Sequence, residues 1–180
     1  MRQWLAEAAG PPGTAIAYDQ GGVKITVIRV DHSPISPAYG YRIDYKERSI
    51  AISGDTIYSR GFVAAAKGTD VMFHEALNPR MVRQLRAKLA ERGRKDSARI
   101  IGDIPGYHAS PADAARAAKV AGAKALILYH VVPSIPAGPM EGLFLGDAAS
   151  RYDGILKVGS DGLLVSLPAK GKDVRFDTVL

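Results

Sequence analysis

The 180-residue chain contains no cysteine. That excludes disulfides, a thiolate zinc site and a cysteine nucleophile. It also lacks any apolar run approaching the roughly eighteen residues that span a bilayer. The first residues, Met1-Arg2-Gln3-Trp4-Leu5-Ala6-Glu7, hold no continuous apolar stretch and carry an acid, so they do not read as a secretory signal. The 19 glycines and 11 prolines follow no period, which excludes a collagen-like repeat. Disorder is excluded as well, because 47% of the residues are hydrophobic, enough to close one core. The expectation is one soluble, cytoplasmic unit with no membrane partner.

Charge is present, and it is concentrated. Lys and Arg number 24 against 18 Asp and Glu, a net charge of +6. Residues 80–99 alone hold eight bases (Arg80, Arg83, Arg86, Lys88, Arg92, Arg94, Lys95, Arg99) and two acids (Glu91, Asp96), so this segment supplies the whole excess. A basic stretch can mark a phosphate-rich partner, but a solvated helix face is the commoner meaning. No aromatic residue interleaves with these bases to stack on a nucleic-acid strand. Nucleic acid is therefore not the expected partner.

Periodicity yields a coarse map. Residues 1–22 begin with a short helical pattern and pass into Gly10-Pro11-Pro12-Gly13 and Gly21-Gly22, the signature of a linker. Residues 23–30 alternate as a strand, and residues 39–45 and 49–53 give two more around a charged turn. A short helix is expected over 59–67, a brief strand at 71–73 and an amphipathic helix over 79–92. Ser110-Pro111-Ala112-Asp113 opens a further helix, with the serine as cap and the acid three residues on. The run Ala125-Leu126-Ile127-Leu128-Tyr129 reads as a strand covered on both faces. A helix over 141–152 and short strands at 155–158 and 163–167 complete an α/β layered domain over residues 23–180.

Only four histidines occur: His32, His74, His108 and His130. Each stands at an expected strand end or just before a helix. Ser53-Gly54-Asp55-Thr56 places an acid directly after a strand. Imidazole nitrogen and carboxylate oxygen suit zinc, and loops at strand ends converge on one sheet edge.

These residues carry a family resemblance. Asp31-His32-Ser33-Pro34, followed by Ala38-Tyr39-Gly40-Tyr41-Arg42-Ile43-Asp44, resembles the third metal motif of the metallo-β-lactamase superfamily, nearest its ribonuclease Z and arylsulfatase-like branch. Ser53-Gly54-Asp55-Thr56 resembles the fourth motif, and Phe73-His74-Glu75-Ala76 the His-Glu-Ala segment. Tyr107-His108-Ala109-Ser110 resembles the His-Ser/Thr motif, and Leu128-Tyr129-His130 the fifth. The resemblance covers roughly residues 24–135. It implies that His32 ligates one zinc, Asp55 bridges two, and His130 ligates the second. It implies that His108 is a catalytic proton donor or oxyanion stabiliser near the leaving group, outside the metal shell, and that Glu75 orients His108 or a ligand. His74 is a weaker candidate for support of the site, against a plain hydrogen bond at a strand end. Tyr39 and Tyr41 are expected to pack.

The family's principal signature, His-x-His-x-Asp-His, is absent: no two histidines lie closer than 22 residues. The chain therefore resembles the C-terminal half of an αββα sandwich, with three candidate ligands for two zincs. A separate or fused N-terminal half would carry the rest, and the chain alone is expected to be inactive. Ile43 and Gly54 are separated by only ten residues, room for a hairpin but not for the RNA-binding arm of ribonuclease Z. The implied function is hydrolysis of a small ester, sulfate or phosphodiester by zinc-activated hydroxide. Two other readings stay open: a ribonuclease Z-like endonuclease that processes transfer RNA 3′ ends, and a non-catalytic remnant serving as a binding or scaffold module. A homo-oligomer is compatible with all three.

Overall fold

The computed structural model describes residues 13–136 and 138–179. Along the chain come β1 (Thr14–Gln20), β2 (Val23–His32), β3 (Ile35–Tyr45), β4 (Arg48–Ile52), α1 (Arg60–Ala65), β5 (Val71–Leu77), α2 (Pro79–Glu91) and α3 (Lys95–Asp103). They are followed by α4 (Pro111–Ala121), β6 (Ala125–Val132), α5 (Pro139–Leu145), β7 (Ile155–Val158), β8 (Leu163–Ser166) and β9 (Arg175–Thr178). The first seven strands form one sheet in chain order, β1-β2-β3-β4-β5-β6-β7. Hairpins make β1 to β4 antiparallel, and helical crossovers make β4 to β7 parallel.

That monotonic order decides where the helices lie. Crossovers between parallel strands are right-handed, so successive ones stepping in one direction all cover the same face. Phe62 of α1, the alanines of α4 and Phe144 of α5 accordingly share one core with Ile28, Met72, Leu126 and Leu128. Ala114, Ala115, Ala117, Ala118 and Ala121 are all buried, and side chains this small let α4 lie close on the sheet. The helix begins as its sequence requires. Ser110 and Asp113 form a reciprocal capping box, and Gly122 ends it with a left-handed φ of 67°.

The opposite face is only partly covered. Val71, Ala125 and Ile127 pack under a separate two-stranded sheet of β8 and β9 through Leu163, Val165 and Phe176. Farther out, Ile25 pairs with Ile43 and Val27 with Tyr41 on the same face, and Tyr18, Tyr41 and Tyr45 stay exposed. One helical layer on one sheet matches the αβ half of the expected sandwich.

Several local expectations are corrected. Residues 14–20, expected within a linker, are strand β1, hidden between two glycine clusters yet paired with β2 along its length. The helical pattern at residues 1–7 lies outside the described residues. The expected helix over 141–152 is α5 plus a 3₁₀ turn at Ala148–Arg151, divided at Gly146 with φ 56°. Helix α3 and strand β9 had no apolar signal strong enough to announce them; Ala98 is the only buried residue of α3.

Candidate metal centre and its surroundings

Strand β2 runs parallel to β4, β5 and β6, so their C-terminal ends share one edge of the sheet. His32 ends β2, Asp55 follows β4, Glu75 lies near the end of β5, His108 precedes α4 and His130 lies near the end of β6. The edge brings these five together. The rings of His32 and His108 meet edge-on with centroids 4.9 Å apart, and those of His108 and His130 stack at 5.6 Å. His130 Nδ1 lies 3.5 Å from Asp55 Oδ1.

Each side chain is aimed by its backbone. The register of β5 on β6 slips between Glu75–Tyr129 and Ala76–Val131, leaving His130 as an unpaired bulge residue with φ 46°. A bulge turns one side chain out of the ladder, here toward the site. Gly54 has φ 62°, and a Cβ there would collide with the Tyr39 carbonyl of β3. Only glycine fits, and the turn delivers Asp55 at the sheet edge. Thr56 closes the loop: its Oγ1 donates to the Asp31 carbonyl at 2.9 Å and its N–H to Glu75 Oε1 at 3.1 Å.

Glu75 is the fully buried hub. Its Oε1 also accepts from the Ala109 N–H at 3.0 Å and bonds His108 Nδ1 at 3.0 Å, while its own N–H donates to Ser53 Oγ at 3.0 Å. The hydrogen bond to Glu75 raises the His108 imidazole above the ordinary histidine value, against the opposing effect of burial. Glu75 Oε2 is buried with no hydrogen-bond partner. His32 Nδ1 bonds the Tyr107 carbonyl at 2.8 Å, and an imidazole that donates from Nδ1 keeps the Nε2 lone pair free for a metal.

Donor atoms of Glu75, His108 and His130 all lie within 4.8 Å of one another. This close trio differs from the expected set of His32, Asp55 and His130, although all five residues share the edge. A mixed imidazole and carboxylate set of this size fits zinc chemistry. His74 is set apart. Its buried ring packs edge-on against Phe62 on the helical face, its Nδ1 bonds the Glu75 carbonyl at 2.8 Å, and its Nε2 has no partner. It supports the Glu75 backbone from the helical face. Burial depresses its basicity.

Ser53, Thr56, Tyr107 and Tyr129 stand within the motifs quoted above without an assigned role, and the structure places them around the site. Burial raises the Tyr129 phenol, with hydrogen bonding toward Ser53 opposing the rise. Its position beside His130 was the only signal. A cavity of about 520 Å³ opens beside His130 and Tyr129, with Ser160 and Asp161 on its wall.

A family profile described as "Beta-lactamase superfamily domain" matches residues 8–131. The chain is 32% identical over 153 residues to a putative ribonuclease Z of Mycobacterium tuberculosis (strain CDC 1551 / Oshkosh), covering 85% of this chain and 61% of that protein. It is 31% identical over 144 residues to a ribonuclease Z of Mycobacterium avium (strain 104), covering 80% and 47%. The chain thus spans roughly half the length of the curated relatives it matches. A metallo-β-lactamase fold protein from Bacillus subtilis superposes with a TM-score of 0.56 at 19% identity, over 84% of this chain and 51% of that one.

These relatives correct the expectation that nucleic acid is not a partner, since they are named as ribonucleases. That expectation leaned on the missing aromatics in residues 80–99, yet binding to a phosphate backbone requires cations and not stacking. The profile match over most of the chain, the relatives and the fold agree: the chain belongs to the metallo-β-lactamase superfamily of hydrolases, in its ribonuclease Z branch.

Proposed function

We propose that this chain carries one part of a zinc-dependent phosphodiesterase centre that cleaves RNA in the manner of ribonuclease Z. The observation that carries the reading is the meeting of His32, Asp55, Glu75, His108 and His130 at one sheet edge in a chain related to ribonucleases Z. His32, Asp55 and His130 would hold zinc. Zinc bound there supplies Lewis acidity to the scissile phosphate and lowers the pKa of water.

The chain's own residues do the rest. Glu75 fixes the His108 ring through Nδ1, which leaves Nε2 to hand a proton to the departing ribose oxygen. The raised basicity of His108 keeps that proton in place closer to neutral pH. Backbone N–H groups of Thr56 and Ala109 hold the Glu75 carboxylate still. Three ligands shared by two ions fall short of the three or four protein ligands each zinc usually takes. The centre is therefore completed by donors outside this set, and the open apolar face of β1 to β3 suits a second layer that would bring them.

Zinc titration by calorimetry and cleavage of a 3′-extended transfer RNA transcript test the reading. Zinc uptake should be weak in the parent and lost in Asp55→Ala and His130→Ala. Cleavage by the chain alone should sit near background and rise when a polypeptide bearing His-x-His-x-Asp-His is added. Zinc uptake indifferent to both substitutions would sink the site assignment. Strong, chelator-sensitive cleavage by the chain alone would sink the claim that the centre is incomplete.

A further inference from the structure

Helices α2 and α3 pack on each other as a hairpin whose two ends are rooted in the candidate centre. Leu77, two residues after Glu75, donates its N–H to the carbonyl of Ala109, next to His108, at 2.8 Å. Asn78 pins the outgoing end. Its Oδ1 caps α2 by accepting from the N–H groups of Arg80 and Met81, and its Nδ2 donates to the Phe144 carbonyl at 2.7 Å. The returning end passes through Tyr107, whose carbonyl receives His32 Nδ1.

Away from this root the hairpin leaves the body. Met81 and Val82 are the only buried residues of α2, and both lie in its first turn. All eight bases of residues 80–99 are exposed. Elsewhere some cations are matched, Arg116 with Asp113, Lys119 with Asp153, Arg151 with Asp147 and Arg42 with Asp44, while others such as Lys24, Arg29 and Lys67 stand in no ion pair with the described residues. Among the described residues no ion pair involves any of the eight.

A merely solvated helix face would be expected to alternate signs and gain from pairs three and four residues apart. Here Arg80, Arg83 and Arg86 follow one another at three-residue spacing and Lys88 precedes Arg92 by four, arrangements that repel. Arg86 is also held in place. Its guanidinium lies against Gly102 of α3 so closely that a Cβ there would stand 3.0 Å from Cζ.

We propose that the α2–α3 hairpin is an RNA-gripping arm whose unpaired bases hold the phosphates flanking the scissile bond. The proposal rests on the phosphodiesterase reading above for the location of that bond. With no aromatic residue among the bases, the grip is on the backbone and blind to sequence. The expectation of an idle solvated face is thereby replaced.

Fluorescence anisotropy of a labelled 3′-extended transfer RNA transcript, read across a KCl series, tests the arm. The parent should lose affinity steeply as salt rises, because each neutralised phosphate releases counterions. Arg83→Ala with Arg94→Ala should weaken binding about tenfold or more at low salt and flatten the log–log salt slope by about 1.5. Lys170→Ala with Lys172→Ala removes the same charge from exposed sites elsewhere and should leave affinity near the parent's. Equal affinity and slope in the parent and the arm variant would overturn the proposal, as would equal losses in the two double variants. Circular dichroism confirms that each variant is folded. Zinc uptake on the same preparations reports separately on the phosphodiesterase reading. Arm-dependent RNA binding without zinc uptake supports the arm and removes that reading; zinc uptake with arm-independent RNA binding does the reverse.

Discussion

Glu75 Oε1 holds His108 Nδ1 at 3.0 Å, joining the end of β5 to the loop before α4 across 33 residues of chain. The same oxygen already accepts two backbone N–H groups, so the imidazole must be the donor in this bond. One buried carboxylate thereby fixes both the position of the histidine and the identity of the nitrogen left facing the site.

Replacing that carboxylate separates its two duties. Glu75→Ala strips the acceptor from two backbone N–H groups and should cost about 3 kcal/mol, read from urea unfolding. Glu75→Gln retains an acceptor but loses the charge. In the metal-free protein, NMR titration of His108 should then fall from its raised value toward 6.5. The sign follows from linkage: the extra stability of the parent pair is full below 6.5 and is lost as pH climbs through the raised value. A His108 titration unchanged in Glu75→Gln would contradict the pairing.

At the other end of the sheet Asp70 is buried between Arg48, at 3.1 Å, and Lys124, at 2.6 Å, and it accepts the Ser49 N–H at 2.8 Å. Burial alone would raise its pKa, but these donors outweigh burial and hold it below the ordinary 3.8. Arg48 in turn donates to the carbonyls of Pro168, Gly171 and Asp173, tying the loop between β8 and β9 to the sheet. Asp70→Asn should cost about 3 kcal/mol near neutral pH. The difference from the parent should shrink as pH falls below 3.8, where the unfolded carboxylate takes up its proton first, and should be lost as pH passes down through the lowered folded value. A difference that stays constant down to the acid transition would refute the ion pair's contribution.

Gly54→Ala should be more harmful than a surface glycine replacement. The left-handed φ of 62° and the Tyr39 carbonyl both oppose a side chain. A loss of about 2 kcal/mol or more is expected in thermal unfolding. Because Asp55 follows directly, zinc affinity should fall with it. Full stability and unchanged zinc uptake in this variant would show that the turn is not what aims Asp55.

Chelation supplies a further check. A ligand that binds only the folded state stabilises it by mass action, so added zinc should raise the thermal midpoint of the parent and a chelator should reverse the rise. Asp55→Ala should abolish the shift while His74→Phe should retain it, since His74 lies against Phe62 and away from the edge. An intact zinc shift in Asp55→Ala would exclude this carboxylate as a ligand.

Much of the local structure was legible because its signals are local. The Ser110 to Asp113 cap, the apolar run of β6 and the alternation of β2 each need only a few neighbouring residues to be read. Helix α3 escaped because it is only nine residues long, has no side-chain cap to mark its start and buries only Ala98. Strand β9 escaped because Phe176 is the one apolar residue among its four, although its partner β8 lies close by in the chain, and the departure of β8 from the main sheet is a choice no local spacing encodes.

The sequence by itself determined which side chains could do chemistry here: four histidines, one acid after a strand, one His-Glu pair, no thiol, and a single segment holding all the excess positive charge. Only the tertiary structure decided what they form. Two antiparallel hairpins and two parallel crossovers put the C-terminal ends of β2, β4, β5 and β6 on one edge, and a bulge at His130 turned its ring to meet Asp55 and His108. Alternate residues of a strand face opposite sides, so His74 fell to the helical core and Glu75, its neighbour, to the site. The basic segment became an exposed hairpin whose two ends are tied beside the candidate centre, a closure that no local spacing encodes.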